Sequence, residues 1–141
     1  MKALCATLLL LSLLPARSAE SKMKPSDETV KKDVITVIEA QLAAFRTNDY
    51  RKAYGFAAEG IKKMFSLEAF EEMVRNGYPS IATSKSARFG LILDDGKQAV
   101  VHVFIEGDAK SLKEFAYVLV LEDSKWKING VVEVKARGEK A

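Results

Sequence analysis

The chain has 141 residues, 48% of them apolar, with one cysteine, one histidine and a formal charge of +3. That length fits one domain able to bury a core without covalent staples. The 22 basic and 19 acidic residues are too nearly balanced for a nucleic-acid partner. A single histidine, His102, and a lone cysteine, Cys5, exclude a histidine-rich or thiolate metal site and a disulfide framework.

The N-terminus has the layout of a secretory leader. Met1-Lys2 supplies positive charge, Ala3 to Leu14 is an unbroken apolar run, and Pro15 precedes the small residues Ala16, Ser18 and Ala19. The run is too short to span a bilayer. Cleavage after Ser18 places Ala16 at the minus-three position, whereas cleavage after Ala19 places Arg17 there, so residues 1–18 read as the signal peptide. Two of the basic residues, Lys2 and Arg17, and the only cysteine leave with it. The mature chain is then close to neutral, and its expected location is the bacterial periplasm or the medium.

Residues 19–25 read as a flexible tail, 26–136 as one domain, and 137–141 as a C-terminal tail. Ser26 is the expected N-cap of a long helix to about Thr47, with Asp27 and Glu28 at the positive end of its dipole. Val30, Val34, Val37, Ile38, Ala44 and Phe45 fall on one stripe of that helix. Gln41 lies within the stripe. Asp49 caps a second helix, with Tyr50, Ala53, Tyr54 and Ala57 on one face and Gly60 at its end; Ile61 to Phe65 adds one short turn. Ser66 caps a third helix through Asn76 that buries Leu67, Phe70, Met73 and Val74. Gly77 stops it and Pro79 bars continuation.

After Lys85 the chain turns to Val-, Ile-, Phe- and Tyr-rich runs: Ala87–Leu93, Gln98–Glu106, Leu112–Glu122 and Lys125–Lys135. Short Asp/Gly/Ser connections join them as hairpins. The expected fold is α+β, three N-terminal helices packed on a curved, four-stranded antiparallel sheet. The two middle strands are apolar on both faces: Val100 and Phe104 oppose Val101, Val103 and Ile105, while Val118 and Val120 oppose Phe115, Tyr117 and Leu119. Helices cover one face only, so a second copy of the chain is the expected cover for the outer one. Tight curling of the sheet is the alternative.

One pattern of residues resembles a known family: Gln41-Leu42 and Ala44-Phe45; Asp49, Ala53-Tyr54 and Phe56-Ala57; Met73-Val74-Arg75-Asn76-Gly77-Tyr78-Pro79; and Trp126, Ile128 and Gly130. It is similar to an exported bacterial family catalogued as domain of unknown function 4864, within the nuclear-transport-factor-2-like (cystatin-like α+β) superfamily. The resemblance runs from about Val34 to Val134. It departs at Asp123-Ser124-Lys125, where a glycine turn is more usual. It implies a cone-shaped roll with a cavity between helices and sheet. It implies no activity, since one fold hosts isomerases, dehydratases, ligand binders and dimerisation modules.

In such a cone the pocket candidates are Gln41, Tyr54, Met73, Tyr78, Phe104, Tyr117 and Trp126, aromatic or adaptable walls with a few polar handles. Each has a plainer reading. Gln41 pins its helix to a strand or loop backbone, and the aromatics are core. His102 serves as a general base only if a carboxylate or carbonyl orients it. Asp49 is explained as a cap, and Asp94, Asp95, Asp108 and Asp123 as turn formers. No acid sits where burial would raise its pKa toward neutrality. Nucleophile-elbow, P-loop, dinucleotide and calcium-loop motifs are absent from the sequence. Neither cofactor nor metal is expected. The leading reading is a non-catalytic exported domain that dimerises and binds a small apolar or amphipathic ligand. An isomerase- or dehydratase-like enzyme using tyrosines or His102, and an envelope interaction module, are the alternatives.

Overall fold

The computed structural model describes residues 22–108 and 112–135. The signal-peptide reading of residues 1–18 and the C-terminal tail at 137–141 lie outside them. The elements run β1 (Lys24–Pro25), α1 (Glu28–Arg46), α2 (Tyr50–Gly55), α3 (Glu59–Met64), α4 (Leu67–Gly77), α5 (Pro79–Ala82), β2 (Ser86–Asp94), β3 (Gln98–Glu106), β4 (Leu112–Glu122) and β5 (Lys125–Val134). The strands form one antiparallel sheet in the order β1-β2-β3-β4-β5. The α+β class agrees with the sequence reading, but among the described residues the sheet has five strands rather than four and the helices number five rather than three.

Each difference has a local cause. Lys24 and Pro25, assigned to a tail, pair with Asp94 and Leu93 at the edge of β2. Proline is tolerated there because an edge strand leaves its missing N–H uncalled for. Ser26 does not cap α1. Its N–H donates to the Ile92 carbonyl at 3.0 Å and its hydroxyl to Asp94, while Asp27 takes the cap by accepting from the Val30 N–H at 3.0 Å. The second helix ends at Gly55, because the backbone at Phe56 and Ala58 bonds β5: Ile128 N–H donates to Phe56 and Ala58 N–H donates to Ile128. The chain then restarts as α3, which contains Gly60 rather than ending on it. Pro79 does stop α4, but it also opens α5 at the first helical position, where its fixed φ is suited to a helix.

The caps at Asp49 and Ser66 form as expected, accepting from the N–H groups of Lys52 and Ala69. The β4–β5 turn puts two non-glycine residues, Asp123 (φ 50) and Ser124 (φ 67), in the left-handed region. Two successive left-handed residues make the primed hairpin turn that matches strand twist.

The core lies between the helices and one face of the sheet. Val34, Ile38, Leu42 and Phe45 of α1 meet Val101, Val103 and Ile105 of β3 and Phe115, Tyr117 and Leu119 of β4. Two bulges shape the sheet. In β2, Gly90 and Leu91 face the single residue His102, and in β5 Asn129 is the extra residue, since Val118 pairs with Gly130 but Leu119 with Ile128. The second bulge shifts the phase of β5, so Trp126 and Ile128 before it and Val131 after it all face inward. On the outer face Val100, Phe104, Ala116, Val118 and Val120 are half-buried, and Leu91 and Val132 are exposed.

Candidate functional site

A semi-enclosed cavity of about 270 Å³ lies between the helices and the inner face of β4 and β5. Its walls follow from helical spacing. Gln41 and Phe45 of α1 are one turn apart, and Phe70, Met73 and Val74 of α4 share a face by the three- and four-residue rule. The sheet contributes Tyr117, Ile128 and Val131, the last brought inward by the Asn129 bulge. No lining residue carries a charge.

Three polar side chains meet this apolar space. Gln41 is buried, and its Nε2 donates to the Ala53 carbonyl of α2 at 3.1 Å. The amide thus pins helix to helix, where the sequence reading placed a strand or loop partner. Tyr78 donates its hydroxyl proton to the Val131 carbonyl at 2.8 Å, tying the α4–α5 junction to β5. Tyr117 differs from both. It has no surface open to water, and its hydroxyl meets no hydrogen-bond partner among the described residues. Burial, with a smaller contribution from Tyr78, holds its phenol well above the ordinary value of 10.0, so it stays protonated. Leaving such a group unpaired costs about 1–3 kcal/mol.

Of the seven residues singled out from sequence, Gln41, Met73, Tyr78 and Tyr117 line the cavity and three do not. Tyr54 packs its ring 5.2 Å from Phe70 and donates to the Phe65 carbonyl behind the wall. Trp126 is inner-face core on the sheet, outside the lining. Phe104 lies on the opposite face, its ring folded over Gly90, where a Cβ would come within 3.1 Å of it. A phenyl laid over a strand glycine fills the missing side chain's place. Among the lining residues that the sequence reading did not single out, Phe45, Phe70 and Val74 were legible as helix stripes. Val131 was not, because its inward direction depends on the bulge.

His102 does have an orienting carboxylate, Glu114, whose Oε2 lies 2.6 Å from its Nδ1. The pair sits half-exposed on the outer face, across the sheet from the cavity. Two of the turn carboxylates take their expected parts: Asp94 accepts from Gly96 N–H, and Asp95 from the N–H groups of Lys97 and Gln98. Those two backbone donors hold the Asp95 carboxyl below its ordinary range. Among the described residues no three His, Cys, Asp or Glu side chains are grouped to hold a metal ion. No helix among them is long and apolar enough to cross a membrane.

The class defined by this architecture is an α+β domain that closes its helices over one face of an antiparallel sheet around an uncharged cavity. The chain belongs to the family described as Domain of unknown function (DUF4864), whose model matches residues 27–141. Searches of the curated proteins and of the solved structures found no match.

Proposed function

We propose that this chain is an exported, non-catalytic domain that holds a small apolar or amphipathic molecule between its helices and sheet. The observation that carries the reading is the cavity of about 270 Å³ walled by aliphatic and aromatic side chains with a few polar atoms. Such a composition suits binding through apolar burial. Acid–base turnover fits it less well, because the uncharged lining offers only phenols as proton carriers, and Tyr78 has its proton engaged by a backbone carbonyl. Export is supported by the leader-like residues 1–18.

The test is a titration of the mature protein with naphthalene, followed by the amide signals of the lining residues. Saturable shifts at Gln41, Met73 and Tyr78 in the native protein, lost in Met73→Trp, are the expected result. An unmoved lining would remove the reading and return the enzyme and interaction-module alternatives. Native mass spectrometry of protein secreted under its own leader would test export and reveal any retained molecule.

The same reading seats a second copy of the chain over the outer sheet face, supported by the half-buried Val100, Phe104, Val118 and Val120 beside exposed Val132. A dimer at micromolar concentration that dissociates in Val118→Lys is expected. A monomer under those conditions would retire this part alone.

A further inference from the structure

We infer that the cavity takes a neutral, mostly apolar molecule bearing one oxygen that accepts a hydrogen bond from the Tyr117 hydroxyl. This rests on the binding reading above and narrows it to a ligand chemistry.

The donors of the cavity decide the point. One of the two Gln41 amide N–H groups is committed to the Ala53 carbonyl and the Tyr78 proton to the Val131 carbonyl. Tyr117 is left as the lining residue with a buried, unpaired O–H. A polar group already stripped of water has no hydration to lose when a partner arrives, so an acceptor placed against it gains more than an ordinary exchanged hydrogen bond. Shut off from water as it is, the hydroxyl is reached only when the lining gives slightly. Met73, unbranched and with several rotatable bonds, makes the wall adaptable.

The charge of the ligand follows from the same lining. With no Lys, Arg, His, Asp or Glu facing the cavity among the described residues, an ionised head would be buried without a counter-charge. A carboxylate or ammonium is therefore disfavoured, and a ketone, ester, amide or alcohol is admitted. Size follows from volume. An apolar cavity of about 150 Å³ holds benzene, so one of about 270 Å³ suits roughly ten to thirteen non-hydrogen atoms.

Three matched probes separate the possibilities: β-acetylnaphthalene, β-ethylnaphthalene and β-naphthoate, nearly equal in shape and differing in the head. Each is titrated into the mature protein at neutral pH and into Tyr117→Phe and Tyr50→Phe, with the lining amides as reporters. The ketone is expected to bind about tenfold tighter than the hydrocarbon, a discrimination of about one well-made buried hydrogen bond. That preference disappears in Tyr117→Phe, persists in Tyr50→Phe, whose likewise unpaired hydroxyl is outside the lining, and the naphthoate binds weakest throughout. Equal affinity of ketone and hydrocarbon for the native protein overturns this inference and leaves apolar binding standing. Tightest binding by the naphthoate also overturns it. Failure of all three, and of naphthalene, to move the lining removes both readings together.

Discussion

The two faces of the sheet are built from similar residues and meet different fates. On the inner face Ala99, Val101, Val103 and Ile105 of β3 have no exposed surface, and Phe115, Tyr117 and Leu119 of β4 almost none. One residue along in each case, Val100, Phe104, Val118 and Val120 are only half-buried, shielded by their own neighbours and, among the described residues, by no second layer. Apolar composition measures what a strand can bury. What it does bury depends on whether another element arrives, and here the helices all go to one side. The polar groups divide similarly. The outer His102–Glu114 pair is satisfied and partly wet, while the inner Tyr117 hydroxyl is dry and unpaired.

Four measurements bear on that contrast. Leu119→Ala removes a fully buried inner side chain, and chemical denaturation should show a loss of about 2–5 kcal/mol. The outer neighbour Val118→Ala should cost about 1 kcal/mol or less at concentrations where the chain is monomeric, because less surface is removed from contact. Comparable losses at the two positions would show that something covers the outer face in solution.

Alkaline stability comes next in size. Burial raises the Tyr117 phenol above its unfolded value of 10.0, so below that pH both states keep the proton and nothing changes. Above it the unfolded chain releases a proton that the folded chain retains, and stability falls by about 1.4 kcal/mol per pH unit until the folded group titrates. Tyr117→Phe should remove this part of the alkaline decline. Tyr50, also raised chiefly by burial, leaves a smaller decline in the same direction. Denaturation midpoints measured from neutral to strongly alkaline pH would decide it, and identical slopes in both proteins would contradict the placement of the Tyr117 hydroxyl.

At neutral pH Tyr117→Phe should stabilise the protein by about 1 kcal/mol, since it deletes an unpaired buried hydroxyl while keeping the ring. A binding site that keeps such a group gives up stability for a specific contact. The smallest effect belongs to the outer pair. Glu114→Gln should change stability by about 0.5 kcal/mol or less, as partly exposed ion pairs commonly do. A larger loss would mean that the pair is covered in solution.

The sequence by itself determined the α+β class, the long first helix, the four strands after Lys85, the caps at Asp49 and Ser66 and the two apolar faces of β3 and β4. These follow from periods of two and 3.6 residues and from side chains that bond their own neighbouring backbone, all readable within a few positions. It also brought Gln41, Met73, Tyr78 and Tyr117 to notice, though not apart from Tyr54, Phe104 and Trp126. Tertiary structure decided the rest. Backbone bonds from β5 to Phe56 and Ala58 split one expected helix into two, and pairing with β2 turned Lys24-Pro25 into an edge strand. The extra residue at Asn129 shifted the phase of β5 and carried Val131 to the cavity. Whether a buried hydroxyl such as that of Tyr117 finds a partner was likewise settled only in three dimensions. Each of these depends on which distant segment supplies an atom at about 3 Å, and local periodicity holds no record of that.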